Sequence, residues 1–184
     1  MSKLVKGLLI LIISILASGC GSAKLNPMEQ SYIDKQKVLY TQVGMWSYNS
    51  KVSGTNYSTG EFIPVNTKVT ISKVTTSAIV MNYDGRNIII QNNKYTKVDI
   101  NTILNRTLSL SKVNLSKFSK ATRNNILKGH LVIGMSKQAS IIARGYPPAH
   151  VTPSLDSNSW RYWNSRWNTT IYQFSNNKLA QIVK

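Results

Sequence analysis

One cysteine, two histidines and six acidic residues are all that this 184-residue chain holds of the side chains most used in catalysis and metal binding. One cysteine cannot build an intrachain disulfide framework or a Cys-based zinc site. Six acids leave little material for a paired-carboxylate hydrolase or a carboxylate metal cage. His130 and His150, without nearby acids, make a poor metal site. A triad drawn from a serine, His150 and Asp156 lacks the G-x-S-x-G nucleophile elbow. There is no phosphate loop and no dinucleotide fingerprint. The chain therefore reads as non-catalytic, with no cofactor and no metal. A hydrophobic content of 42% excludes collagen-like, coiled-coil and wholly disordered classes.

What is abundant is positive charge. Lys and Arg number 23, and the formal net charge is +17. Such a chain favours polyanions: nucleic acid, anionic lipid or an acidic wall polymer. No RNP-type, zinc-finger or helix-turn-helix pattern is present, so nucleic acid is not an expected partner.

The N-terminus has the three parts of a secretory signal. Lys3 and Lys6 form a positive region, residues 8–16 (LLILIISIL) an apolar one, and Ala17, Ser18 and Gly19 supply small residues before Cys20. The apolar run is too short to cross a bilayer comfortably. The stretch LASGC over 16–20 resembles a bacterial lipobox, with Ala17 where Leu is usual. That resemblance implies cleavage before Cys20, a thioether-linked diacylglycerol on its sulfur and acylation of its new amine. Several acyl chains hold a protein stably on a membrane where one holds it marginally. Cleavage removes Lys3 and Lys6 from the 23 basic residues and leaves 21 against 6, a net charge of +15. Gly21 stands where Asp would resemble an inner-membrane retention signal. The expected location is the cell envelope, on the outer membrane facing the periplasm.

Residues 20–36 are polar, with Pro27 and no sustained periodicity, and read as a flexible tether. From residue 37 the texture becomes β. Strand formers fill 38–43, Val69 and Ile71 alternate with polar residues over 67–74, and 78–83 and 86–90 flank Asp84-Gly85. That dipeptide suits a type I′ hairpin, which needs positive φ at both positions. A last short strand is expected over 95–98. Five short strands suggest a small barrel. The run 57–69 (YSTGEFIPVNTKV), with Ile63-Pro64, Thr67 and Val69, resembles bacterial SH3-like domains; Asn66 replaces the usual Gly and tolerates left-handed geometry. The resemblance covers 37–98.

Residues 99–119 read as a basic connecting segment that begins with a short helix over Ile100, Ile103 and Leu104, capped by Asp99. Asn114 opens a stretch, 114–127, that suits a second helix or irregular structure. No acid occurs between Asp99 and Asp156, an interval that carries Arg106, Lys112, Lys117, Lys120, Arg123, Lys128, Lys137 and Arg144. This is a solvated basic surface or a face for anionic lipid or wall polymer, with Lys117, Lys120, Arg123 and Lys128 as its candidate residues. Each cation near an anionic membrane adds about 1 kcal/mol, screened by salt.

Over 120–184 the order is helix, helix, strand, strand, strand. Ser136 caps a helix through Ala139, Ile142 and Ala143 that stops at Gly145, its left-handed C-cap, and Pro147 and Pro148 forbid continuation. Strands follow over 160–163, 169–174 and 178–183. Gly134-Met135-Ser136 at the helix start, Gly145-Tyr146-Pro147 at its stop, Trp160-Arg161-Tyr162 in a strand and the hairpin Phe174-Ser175-Asn176-Asn177-Lys178-Leu179 resemble the BamE/SmpA-type outer-membrane lipoproteins. Two positions depart from that pattern: Ala143-Arg144 where a Leu-Gly pair is common, and Asn177 where the hairpin usually has Gly. Trp160, Tyr162, Tyr172 and Phe174 form an aromatic core face, Met135 a flexible plug, and Gly134 a bend made without a Cβ clash. Tyr146, Arg161, Trp163, Arg166 and Trp167 are the candidate partner-binding patch.

The expected architecture is α+β: a small SH3-like β-barrel, then a two-helix, three-stranded antiparallel BamE-like module. Each unit is near 60 residues, where burial is limited and docking of the two adds stability. The BamE/SmpA resemblance implies a non-catalytic scaffold or assembly factor that binds envelope proteins and anionic lipid. The SH3-like resemblance implies binding to peptidoglycan or an anionic surface polymer. A secreted enzyme inhibitor is the third reading.

Overall fold

The computed structural model describes residues 21–184; the segment expected to be a signal, and Cys20, lie outside them. The chain is α+β, with four helices and eleven strands among the described residues.

The segment expected to be a tether is folded. Asn26 caps helix α1 (Pro27–Asp34) in a reciprocal capping box: its side chain accepts from the Glu29 N–H, and the Glu29 carboxylate accepts from the Asn26 N–H. Pro27 sits at the first turn, where its missing N–H costs nothing. Glu29 and Tyr32 are buried. Ser22 bridges Thr75, the Thr76 N–H donates to Gly21 O at 3.1 Å, and Asn101 Nδ2 donates to Lys24 O at 2.7 Å. The polarity of 21–36 marks a helix lying across a sheet with two inward residues, not a leash.

Strands β1 (Leu39–Thr41), β2 (Met45–Ser47), β3 (Lys51–Val52), β4 (Glu61–Ile63), β5 (Lys68–Val74), β6 (Ala78–Tyr83) and β7 (Arg86–Gln91) follow. Next come helix α2 (Ile100–Thr107) and β8 (Leu108–Ser109). Six of these strands form a sheet in the order β3-β7-β6-β5-β1-β8, and β2 pairs with β4 alone. The sheet is open, so the expected closed barrel is corrected: β1 pairs β5 and β8, while β3 joins β7 in parallel, at the opposite edge. The β6–β7 hairpin turns on Asp84 and Gly85 with φ of 51° and 73°, as the type I′ reading requires. Asn66 takes φ 68°. No strand forms over 95–98; Thr96 closes a turn on Asn93 instead.

Asp99 caps α2 by accepting the Thr102 N–H at 2.6 Å. Ile100, Ile103 and Leu104 turn into the first core, and β8 pairs with β1. The first unit therefore runs from 21 to 109, past the boundary expected at 98, and the connection is only 110–119. That connection is pinned by Asn66, whose amide donates to Val113 O at 3.0 Å and accepts from its N–H at 2.7 Å.

The second unit matches its expected order: α3 (Lys120–Leu127, capped by Ser119), α4 (Lys137–Arg144, capped by Ser136), then β9 (Ser159–Trp163), β10 (Thr169–Ser175) and β11 (Lys178–Val183) in an antiparallel meander. The hairpin turn uses Asn176 and Asn177 with φ of 48° and 62°, so Asn177 fills the glycine position without breaking the turn. Trp160, Tyr162, Tyr172, Phe174 and Met135 are buried in this unit's core. The Leu179 N–H donates to Met135 O at 2.7 Å, which joins the helix start to the hairpin. Two glycine roles change. A Cβ on Gly134 would meet nothing, so φ of +89°, not crowding, is what calls for glycine there. Gly145 has φ +80° but extended ψ of −178°, not a left-handed cap, and a Cβ on it would strike Asn56.

Candidate functional site

The two units meet along a seam made by backbone close approach. The Gly44 N–H donates to Ile142 O at 2.9 Å, and a Cβ on Gly44 would overlap Ala143 O. Gly129 lies against Trp46 and Phe62 with no room for a side chain. Asn56 Nδ2 donates to Arg144 O, and Thr59 Oγ1 to Asn164 O at 2.7 Å.

Arg144 is the centre of this seam. It is 6% exposed, and among the described residues the one ion pair is elsewhere, between Arg86 and Glu61 at the surface. Its guanidinium has polar and aromatic partners instead. Nη2 donates to Ser58 Oγ at 3.0 Å, Asn164 Oδ1 at 2.9 Å and Trp163 O at 3.3 Å. The cation lies over Tyr162 at 5.1 Å, Trp46 at 5.5 Å and Tyr172 at 5.8 Å. Burial lowers the pKa of Arg144 from its usual high value, yet arginine stays charged in proteins. Burial also pushes the Tyr162 hydroxyl far above its ordinary value, so that ring stays neutral and donates to Gly145 O at 2.8 Å. Arg144 thus bridges Ser58 and Trp46 of the first unit to Tyr162 and Asn164 of the second.

Two hollows open beside the seam. The larger, about 380 Å³, is a groove lined by Trp46, Tyr48, Tyr57, Lys51, Thr59 and Arg166, with Ser53, Gln91 and Ser165. Three aromatic rings and two cations face it, and no acid lines it. Tyr48 is 61% exposed; Trp46 is half-buried, braced behind by Phe62 at 4.7 Å. Arg166 lies over Trp167 at 5.1 Å, and Trp167 is 81% exposed. The smaller cavity, about 90 Å³, has Val43, Met45, Val52 and Ile90 among its apolar walls and Arg106 and Tyr146 in its lining. Arg106 stacks on the Tyr146 ring at 4.4 Å.

The expected partner patch is therefore divided. Arg166 lines the groove and Trp167 stands beside it. Trp163 is half-buried behind Tyr57, 6.3 Å away. Arg161 is exposed on the outer face of β9 and does not line the groove. Tyr146 is half-buried under Arg106 in the other cavity, so its place in an exposed patch is corrected. Lys117, Lys120 and Lys128 are exposed, while Arg123 turns back to donate to Phe118 O at 3.2 Å. His150 sits between Tyr95 at 5.1 Å and Trp163 at 6.2 Å, its Nδ1 buried without a hydrogen-bond partner among the described residues. Sequence reasoning missed Trp46, Tyr48 and Lys51; the aromatic alternation in Met45-Trp46-Ser47-Tyr48 was the available signal.

Among the described residues no three His, Cys, Asp or Glu gather where a metal could sit, and no helix is long and apolar enough to cross a membrane. No protein family, curated protein or solved structure matches the chain.

Proposed function

We propose that this chain is a lipid-anchored, non-catalytic scaffold or assembly factor of the bacterial cell envelope, held on the outer membrane through Cys20. The observation that carries the binding role is the groove at the seam. Neither unit makes it alone: Trp46, Tyr48, Lys51 and Tyr57 come from the first and Ser165 and Arg166 from the second. Aromatic faces and unpaired cations around a hollow of this size are the composition of a recognition surface, where rigid rings supply area at low entropic cost. The BamE-like reading of 120–184 is supported by the bonds between Gly134-Met135-Ser136 and the start of β11, because the two most distinctive pieces of the motif touch each other. For the first unit, the SH3-like reading extends only to the turn into β5 and the hairpin after it. Formaldehyde crosslinking in intact cells with an affinity-tagged chain that keeps Cys20 tests this reading. Recovery of outer-membrane assembly components, lost in Tyr48→Ala/Arg166→Ala, is expected. Recovery of no envelope protein contradicts it.

The groove also favours a second reading, binding to peptidoglycan or an anionic surface polymer. Rings that can stack on sugar faces stand beside Lys51 and Arg166, with no acid to repel carboxylates. Co-sedimentation with purified sacculi at low salt, falling as salt rises, is its expected signature; no co-sedimentation even at low salt removes it.

A further inference from the structure

The described chain begins bonded to the body. Gly21 O accepts from the Thr76 N–H at 3.1 Å, Ser22 bridges Thr75, and Lys24 O accepts from Asn101 at 2.7 Å. Asn105 Nδ2 then donates to Glu29 Oε1 at 3.1 Å, which ties α1 to α2. Cys20 is the residue immediately before Gly21. A lipid on it leaves the protein beside the turn between β5 and β6, with no leash between the acyl chains and the folded body.

The topology fixes what else lies at that end. Ala78 pairs with Gln91, and the Asn92 N–H donates to Ser77 O at 2.7 Å, so the loop after β7 shares this end with the 75–78 turn. Lys24, Lys73, Lys94 and Lys97 lie on or next to these segments and are all exposed; Asp99 is the one acid beside them. Tyr95, 45% exposed, adds an amphipathic ring of the kind that sits at headgroup level. The other end of β5 is different territory. Lys68 there pairs with Tyr40, and Asn66 holds Val113, so the connection carrying Lys112 and Lys117 leaves about 20 Å away along seven residues of strand.

We propose that the β5–β6 turn and the loop after β7 form the membrane-facing end of the protein, resting on anionic headgroups of the leaflet that holds Cys20. The ligand is a bilayer surface rich in anionic phospholipid. Lys24, Lys73, Lys94 and Lys97 make the contact; Lys112 and Lys117 face away from that bilayer and are free for another polyanion. This rests on the lipidation of Cys20 proposed above and adds an orientation to it.

The test uses the full lipidated chain purified from producing bacteria and reconstituted in phosphatidylcholine/phosphatidylglycerol vesicles that carry a headgroup-spin-labelled lipid. Bimane is attached to single cysteines introduced as Thr76→Cys or Lys94→Cys at one end and Lys68→Cys or Ser116→Cys at the other. Circular dichroism confirms that each variant is folded. Quenching at 76 and 94 is expected to exceed that at 68 and 116 severalfold. Equal quenching, or stronger quenching at 68 and 116, overturns the orientation while leaving the anchor intact. An intact mass without acyl chains on Cys20 overturns the anchor and the orientation together. Replacing Lys24, Lys73 and Lys97 by Gln is expected to lower the contrast in phosphatidylglycerol vesicles; an unchanged contrast overturns the role of the cations.

Discussion

The two units bury different materials. The first core is mostly aliphatic, built on Leu39, Ile63, Ile71, Ile79, Met81, Ile88 and Leu104 under an open sheet and two helices. The second is built on rings: Trp160 on Phe174 at 4.6 Å, Tyr162 on Tyr172 at 5.6 Å, with small Ala139 and Ala143 facing them from α4. Aliphatic cores need only volume and pattern. Aromatic cores also need partners for their polar tips and a fixed ring geometry. The second unit takes a charge into its edge, where the Tyr162 and Tyr172 rings lie beside Arg144 and Asn164 Oδ1 and Trp163 O accept from it. The first unit buries its own charged residue, Glu29, by tying it into the α1 capping box and to Asn105.

The comparison is sharpest at its largest side chain. Trp160→Ala is expected to cost about 3–5 kcal/mol in urea unfolding, since nothing can refill the space under Lys137 and Phe174. A loss below about 1 kcal/mol would mean the ring core is not tightly packed. Arg144→Ala comes next, at about 2–4 kcal/mol, from the loss of charge-assisted bonds to Ser58 and Asn164 and of the stacking with Trp46 and Tyr162. Tyr162→Phe leaves Gly145 O without its buried donor and is expected to cost about 1–2 kcal/mol by the same measurement. In the aliphatic core, Ile79→Val removes one methylene and is expected to cost about 0.5–1.5 kcal/mol.

The smallest effect is a pH effect whose source lies in the first unit. The Thr102 backbone N–H holds the Asp99 carboxyl below its ordinary value of 3.8. Its folded value lies below its unfolded one, so the contribution is full above pH 3.8 and is lost as pH falls through the depressed value. The second unit's helices are capped by Ser119 and Ser136, which do not titrate. Asp99→Asn is expected to reduce the acid sensitivity of the cooperative body, read as melting temperature from pH 6 down to pH 2. An unchanged acid profile would remove the cap from the account.

The same contrast explains what the sequence made legible. In the second unit each strand pairs with its neighbour in the chain, so Ser136, Gly145 and the Asn176-Asn177 turn suffice to give its elements in order. In the first unit β1 pairs with β5 and β8, and β3 with β7, and no local pattern around Leu39 or Lys51 announces those partners. The helix over Pro27–Asp34 was hidden because it contributes only Glu29 and Tyr32 to the interior. Arg166 in the groove and Trp167 beside it stood out as exposed types in an aromatic stretch. Trp46, Tyr48 and Lys51 became part of the same site only through docking. Arg144 was visible as a departure from the BamE/SmpA pattern; its meaning came from Ser58 and Trp46, more than 80 residues away in the chain.

The central claim is that Arg144 makes one cooperative body out of two units and thereby shapes the groove between them. Hydrogen exchange read by mass spectrometry across a urea series, on the native chain and on Arg144→Ala, tests it most directly. The account predicts coincident loss of protection in β5–β7 and in β9–β11 for the native chain, and two separated transitions for the variant. Two separated transitions already in the native chain, or coincident ones in the variant, would contradict it.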